Sequence, residues 1–355
     1  MTELPSAPRR RKPWMLAVPL GLLLLVAAVW AGLWFYAAHR AEAEIEAWIQ
    51  REAKLGRAWS CTDRSLAGFP FRFELICRDP VLVTQGGDSL RITAARAHAV
   101  AQIWAPNHIV AEFDSPARVE DTITGRVYSA TWSLLQMSGV GDTSGRPQRF
   151  SLVTEQPSLE LILAKDAPPT PPLSAKHLDV HVRRSPALEN RGPDGVDFAF
   201  RLVGADSQAL AATGGQGPLD MVLEGSVTAA EDLRPMSTAD RLRAWANAGG
   251  ILRVSAFRAT TPQAALSASG ALSVDPQGRV FGAVDLGFAG MDQLLKGLAA
   301  KGLIAPELAP VVSALSLAGK PGDVAGRKGS TFSVTIEQGT LKLGKFPVGI
   351  IPPVF

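Results

Sequence analysis

The hydrophobic pattern begins with an uncharged run over residues 14–36, WMLAVPLGLLLLVAAVWAGLWFY. As a helix rising 1.5 Å per residue, this run would span about 34 Å, which is enough to cross a bilayer core of ~30 Å. Trp14 lies at one end, and Trp34 and Tyr36 lie at the other, where aromatic side chains favour the membrane interface. The run predicts a single transmembrane helix.

The charges that flank this run predict its orientation. The basic sequence RRRK at 9–12 precedes it, and the acidic sequence EAEIE at 42–46 follows it. Because basic flanks stay in the cytoplasm, residues 1–13 are predicted to be cytoplasmic and residues 37–355 exported. A cleaved signal peptide is the alternative, since residues 37–43 contain small-residue sites, but the run is longer than the apolar region of most signals.

The pattern after the run changes to a helical period. In residues 37–58 an apolar stripe of Ile45, Trp48 and Ile49 ends near Gly56. This stripe predicts a membrane-proximal helix that docks on the first strands; a free stalk is the alternative.

Alternation with a period of two dominates the rest of the chain. Residues 59–164 contain several such runs separated by short turn signals, which predicts an antiparallel meander rather than βαβ units. The proline-rich residues 165–175 predict a linker, and residues 176–355 a second β-rich half.

Helical patterns interrupt this second half at residues 237–248, 291–304 and 306–318. The predicted fold is therefore mainly β with a few helices: one transmembrane helix followed by a large, curled, mostly antiparallel sheet. The three helices would either fill the apolar face of that sheet or leave an open groove.

Cys61 and Cys77 are the two cysteines of the chain and bracket a turn at residues 66–70. Cys77 shares a strand face with Phe73 and Leu75, so its side chain is expected to point inward, near the segment that carries Cys61. A disulfide here would contribute about 3 kcal/mol in an oxidising compartment. Two free buried thiols are the alternative, and neither a metal-ligand set nor a C-x-x-C spacing is present.

No motif predicts a reaction. Gly87-Asp88-Ser89-Leu90 spells GDSL, a serine-hydrolase signature, but a strand-like run follows it and no D-x-x-H supplies a base. His177, Asp179 and His181 alternate, which suits a metal site or, more simply, the solvent face of a strand. No P-loop or dinucleotide-binding glycine pattern occurs. We predict no catalytic residue, no metal, no cofactor and no enzyme activity.

Composition narrows the possible partners. Of the 355 residues, 46% are hydrophobic and 19% charged, and the net charge is only +3. Because no basic stripe with interleaved aromatic residues is present, nucleic acid is not an expected partner.

Three pieces of the sequence resemble a known family. They are the N-terminal anchor, the segment WSCTDRSLAGFPFRFELIC, and the end pieces DPQGRVFGAVDLGFAG and TLKLGKFPVGIIPPVF. They resemble the domain-of-unknown-function family numbered 2125 of alphaproteobacteria, most specifically in Gly68-Phe69-Pro70 between the cysteines. That family has no established activity. A more distant resemblance to AsmA-like envelope proteins implies a curved, apolar-lined sheet that holds or moves lipids.

Together these features predict a protein anchored in the inner membrane with most of its chain in the periplasm of a Gram-negative host. It would bind or pass a lipid-like ligand in envelope maintenance; the alternative is a non-catalytic scaffold or assembly factor that contacts other envelope proteins through sheet edges. The candidate ligand-facing residues are Phe69, Phe71, Phe73, Val280, Val284, Leu286 and Phe288.

Overall fold

The computed structural model describes residues 14–85, 89–163, 171–185, 195–206, 217–230, 237–290 and 319–355. Within these ranges, helix α1 is Trp14–Lys54 and helix α2 is Thr238–Asn247. Helix α1 joins the predicted transmembrane and membrane-proximal segments without a break. The predicted helices at 291–304 and 306–318 lie outside the described residues.

The remaining elements are strands. In chain order they are β1 (Arg57–Ser60), β2 (Asp63–Ala67), β3 (Arg72–Arg78), β4 (Val81–Thr84), β5 (Leu90–Ala94), β6 (Arg96–Gln102), β7 (Ala105–Phe113), β8 (Ala117–Asp121), β9 (Val127–Thr131), β10 (Leu134–Gly141), β11 (Pro147–Glu155), β12 (Ser158–Leu163), β13 (Leu173–Ser174), β14 (His177–Arg184), β15 (Gly195–Ala205), β16 (Leu219–Thr228), β17 (Ile251–Thr260), β18 (Ala265–Val274), β19 (Val280–Ala289), β20 (Lys320–Val324), β21 (Arg327–Glu337), β22 (Thr340–Leu343) and β23 (Phe346–Ile350).

These strands form two antiparallel sheets. The smaller, seven-stranded sheet has the order β1-β4-β5-β8-β9-β12-β13. The larger, sixteen-stranded sheet has the order β2-β3-β6-β7-β10-β11-β14-β15-β16-β17-β18-β19-β21-β22-β23, with β20 paired to β21. The predicted mainly β, antiparallel fold behind an apolar helix is confirmed. The predicted curl is wrong: the sheet stays open, because its end strands β2 and β23 do not pair with each other.

Each of the seven strands of the smaller sheet is joined directly to one of the first seven strands of the larger sheet. The chain passes from one sheet to the other over one to three residues, and we call the line of these passages the crease. The passages are at residues 61–62, 79–80, 95, 114–116, 132–133, 156–157 and 175–176.

Proline and left-handed backbone explain where the strands break at the crease. Asp79 (φ 46°) and Gln156 (φ 51°) each precede a proline, and Ser115 precedes a third. Proline cannot donate a hydrogen bond to a strand ladder, so a strand ends beside it. Backbone bonds still join neighbouring segments at the crease, such as Asp79 N to Ala95 O at 3.0 Å and Gln156 N to Lys176 O at 2.8 Å.

Helix α2 begins and ends where its sequence predicts. The hydroxyl of Ser237 accepts a hydrogen bond from the amide of Asp240 at 3.1 Å, which caps the first turn. Gly249 (φ 67°) follows the helix in the left-handed region. The indole of Trp245 donates to the carbonyl of Thr228 at 2.8 Å and fixes the helix to the end of β16.

Fully buried side chains are few in the described part of the chain. The largest are Val127 and Val324, and Val324 packs with Ala265 and Ala289 where β20 joins the sheet. The fold therefore depends mainly on ladder hydrogen bonds and cross-strand side-chain contacts. The division into halves at residues 165–175 stays a prediction; strand β13 lies inside that range and pairs with β12.

Candidate functional site

The large sheet has one apolar face, which the strand register defines. Directly opposite residues in antiparallel strands point to the same face, so the pairing can be followed from strand to strand. One such path, the apolar row, crosses thirteen strands, and each member is only partly buried. It consists of Leu66, Leu75, Ala99, Ala111, Met137, Leu152, Val180, Phe200, Leu223, Phe257, Ala268, Leu286 and Phe332.

The opposite face of the same strands is polar, and its side chains bond to one another. His98 Nε2 lies 2.6 Å from Glu74 Oε1, and Gln136 Nε2 donates to Glu112 Oε1 at 2.7 Å. Ser333 donates to Asp285 at 2.5 Å near the other end of the sheet. These contacts satisfy polar groups locally, so this face needs no covering layer.

His177, Asp179 and His181 lie on this polar face of β14, with Leu178, Val180 and Val182 on the apolar one. His177 Nδ1 contacts Glu155 Oε1 and its Nε2 contacts Asp179 Oδ2, both at 2.8 Å. Asp179, and to a lesser extent Glu155, raises the pKa of His177 because each stabilises the imidazolium.

His181 Nε2 and Arg201 Nε also approach Asp179, at 3.3 Å and 3.6 Å from its two oxygens. Asp179 is buried, and the Arg201 guanidinium together with the His177 contact compensates for its burial. Among the described residues, no group of three or more His, Cys, Asp or Glu side chains is arranged to hold a metal ion.

Helix α1 packs against the first strands of the large sheet. Trp34 is buried, and its indole donates to the carbonyl of Arg72 at 3.2 Å. Its ring stacks on Phe73 at 5.9 Å and meets Phe69 edge-on at 5.5 Å, while Phe35 stacks on Phe69 at 5.9 Å. The predicted ligand-facing residues Phe69 and Phe73 therefore contact the protein's own helix α1.

Farther along α1, contacts reach both sheets. Trp48 lies 5.9 Å from Trp59 of β1 by ring centroids, and Glu46 pairs with Arg64 of β2 at 3.0 Å. The membrane-proximal segment therefore packs on the first strands, as predicted. Helix α1 runs along the β2–β3 hairpin from its turn towards the crease.

The disulfide lies beside this helix. Cys61 and Cys77 are bonded, with an S–S distance of 2.01 Å and Cα atoms 5.5 Å apart. The bond joins the passage between β1 and β2 to the end of β3, and it closes the loop that contains the β2–β3 turn. It fixes the hairpin on which α1 packs.

A groove of about 910 Å³ remains between α1 and the apolar row. This volume is within the range of small-molecule binding sites. The surface of the groove is mainly apolar, and its polar lining residues are Glu44, Glu46, Gln50, Ser60, Arg64 and His98. Its principal apolar lining residues are Ile45, Trp48, Ile49, Leu75, Ala99 and Ala111.

The other predicted ligand-facing residues lie far from this groove. Val280, Val284, Leu286 and Phe288 share one face of β19, and Leu286 belongs to the apolar row. Strands β3 and β19 are ten positions apart in the sheet, or about 48 Å at the usual strand spacing of ~4.8 Å. The early and late candidates thus share a face but do not form one pocket.

A family model with the description "Uncharacterized protein conserved in bacteria (DUF2125)" matches residues 34–352. The chain belongs to the DUF2125 family. No curated protein and no solved structure matches it. The predicted family is confirmed, and the more distant AsmA-like relation stays a prediction.

The family match begins at Trp34, the buried residue of α1 that packs against the sheet. Residues 14–33 of α1 lie outside the match. In this DUF2125 chain, Leu90 begins strand β5, so the residues after the GDSL letters form a strand. Gly87 and Asp88 lie outside the described residues.

Sequence reasoning missed the middle of the apolar row, namely Met137, Leu152, Phe200, Leu223 and Phe257. The alternation within each strand was the available signal. It could not show that these residues align across strands, because alignment depends on the register between strands.

Proposed function

We propose that this protein is anchored in the inner membrane by α1 and holds acyl chains of lipids on the apolar row, on the periplasmic side. The observation that carries the proposal is the row itself: thirteen partly exposed apolar positions on one face, beginning beneath the membrane anchor. In this role the chain binds lipid and catalyses no reaction.

Two features support a lipid as the ligand. An acyl chain gains about 0.8 kcal/mol for each methylene removed from water, and an unbroken apolar face accepts it without a specific partner. The groove beside α1 lies where the described helix long and apolar enough to cross a membrane meets the sheet. A lipid that leaves the bilayer along α1 would reach this groove first.

The test is lipid retention by full-length protein extracted in mild detergent, measured by native mass spectrometry. We expect phospholipid bound to the unaltered protein and lost from Leu223→Asp, because a buried carboxylate beside an acyl chain must be desolvated. Val284→Asp, on the same face farther along the sheet, should also weaken retention.

Ser226→Asp is the matched control. Ser226 lies on the same strand as Leu223 but on the opposite face, between Asp197 and Arg253. Circular dichroism must show that all variants are folded. Equal lipid retention by Leu223→Asp and Ser226→Asp would indicate lipid bound only around α1 and would contradict the proposal.

A scaffold role is the second candidate, and the edge strand β23 favours it. Phe346 and Ile350 on this strand are 76% and 81% exposed. An exposed apolar edge can pair with a strand of another protein. Photo-cross-linking from position 346 in cells would then yield a single protein adduct, while lipid retention would be insensitive to Leu223→Asp.

A further inference from the structure

Two neighbouring hairpin turns at one end of the large sheet carry exposed aromatic side chains. Phe69 and Phe71 of the β2–β3 turn are 52% and 58% exposed, and Trp104 of the β6–β7 turn is 70% exposed. We call these turns the aromatic tips. We propose that the aromatic tips insert into the periplasmic leaflet of the bilayer beside α1. The inference rests on the anchor and not on lipid binding by the apolar row.

The position of the first tip along α1 sets its depth. Trp30 donates to the carbonyl of Pro70 at 3.0 Å, and its ring lies 6.4 Å from that of Phe71. Trp30 precedes Tyr36, the end of the uncharged run, by six residues, or about 9 Å of helix. The first tip therefore lies below the periplasmic end of the apolar span.

The length of α1 leads to the same conclusion. Before Trp30 the helix provides residues 14–29, which extend about 24 Å. This is shorter than a bilayer core of ~30 Å. The helix cannot complete its crossing unless the segment that contacts the first tip also lies within the bilayer.

The backbone of the first tip is suited to an apolar medium, where each unpaired polar group is costly. Four carbonyls in and beside it have donors: Trp30 reaches Pro70 O, Trp34 reaches Arg72 O, Ile103 N reaches Phe71 O, and Arg72 N reaches Gly68 O. Pro70 has no amide proton to satisfy. Gly68 turns the chain at φ 102°, and a Cβ atom there would lie 2.6 Å from the carbonyl oxygen of Arg72.

The next turn along this edge of the sheet has a different composition. The β10–β11 turn is Asp142-Thr143-Ser144-Gly145-Arg146, and Asp142 accepts hydrogen bonds from Ser144 and Arg146. The turns change from aromatic to polar with distance from α1. This is the pattern expected if the sheet rises out of the membrane at the third turn, since Trp favours the membrane interface, the apolar Phe ring favours removal from water, and a carboxylate favours water.

The experiment uses the full chain in vesicles of phosphatidylethanolamine with a minority of phosphatidylglycerol. A photoreactive residue, p-benzoylphenylalanine, replaces Trp104 or Phe69, and mass spectrometry detects lipid attached to the protein after irradiation. Phe346 on the far edge strand is the matched control, because it is an exposed aromatic residue that the proposal places in water. We expect lipid adducts at 104 and 69, several-fold above those at 346.

Absence of adducts at both tips, or equal adducts at 346, would overturn the inference. Non-reducing peptide mapping of the Cys61–Cys77 bond checks the fold of each variant; if the Phe69 variant misfolds, the more exposed position 104 decides alone. A probe at Leu223 separates the two proposals. Lipid adducts at 104 without any at 223 would support insertion of the aromatic tips and count against lipid binding by the apolar row. Adducts at 223 without any at 104 would support the apolar row and count against insertion of the tips.

Discussion

The first strands of the large sheet and its middle strands present the same kind of apolar face, but α1 covers only the first. Over β2 and β3, rings from the helix and the sheet stack at 5–6 Å, and Trp34 is 4% exposed. In the middle strands Phe200, Leu223 and Phe257 remain partly exposed. The covered end shows that this face accepts aromatic rings, chiefly by ring contacts and with an indole hydrogen bond to the backbone, and the middle strands present similar apolar side chains.

Removing the ring at the covered end should have the largest effect. Trp34→Ala deletes a buried ring with contacts to Phe69 and Phe73, which should cost about 3–5 kcal/mol of the free energy of unfolding of this region. Hydrogen exchange of the β2–β3 amides in detergent should accelerate. Leu33→Ala, at a position 57% exposed on the same helix, should leave it unchanged. Equal exchange in the two variants would mean that α1 does not stabilise the hairpin.

Opening the disulfide should have the next largest effect. Replacing both Cys61 and Cys77 by Ser should lower the free energy of unfolding by about 3 kcal/mol, because the unfolded chain gains the freedom of the opened loop. Denaturant titration measures the loss. Reductant should destabilise the unaltered protein and leave the double variant unaffected; insensitivity of the unaltered protein would contradict the bond.

A truncation in the middle strands, whose apolar face α1 does not cover, should cost less. Leu223→Ala in delipidated protein should lower the free energy of unfolding by about 1 kcal/mol, since a partly exposed side chain loses less buried area than a core leucine. Denaturant titration with and without added phospholipid provides the comparison. A loss as large as that for Trp34→Ala would show that another part of the chain covers this face.

The smallest expected effect is a pH dependence on the polar face. The pKa of His177 is raised, chiefly by Asp179, so its stabilising contribution is complete below the unfolded pKa of 6.5 and is lost as pH rises through the folded value. The unfolding midpoint should therefore fall as pH rises above 6.5 and through the raised pKa of folded His177. His177→Gln should flatten this slope, and added lipid should not change it. A slope that persists in the variant would assign the effect to another group.

The sequence predicted the elements that have strong local signals. The uncharged run and the apolar stripe after it predicted α1, the helical pattern at residues 237–248 predicted α2, and alternation with short turns predicted an antiparallel sheet. These signals come from hydrogen-bonding and hydrophobic patterns that operate within a few residues.

The sequence did not show in the same way which element or ligand packs on a given apolar face. Alternation placed Phe69, Phe71 and Phe73 on one face. Aromatic rings can pack equally well against a ligand or against a helix, and here they pack against Trp30 and Trp34 of α1. The alternating run FRFELICRDPVLVT is divided between the two sheets by the break at Asp79-Pro80, which alternation alone does not reveal. Both outcomes depend on contacts between residues far apart in sequence.

The crease has a mechanical consequence. In an ordinary β-sandwich two sheets are held together by side-chain packing, so that a solvent or a mutation that weakens the core lets them separate. Here, in the described part of the chain, the backbone itself crosses from one sheet to the other seven times, and these crossings lie side by side along the crease. The angle between the sheets can change only if all seven crossings turn together, so thermal motion at any single passage is resisted by the other six.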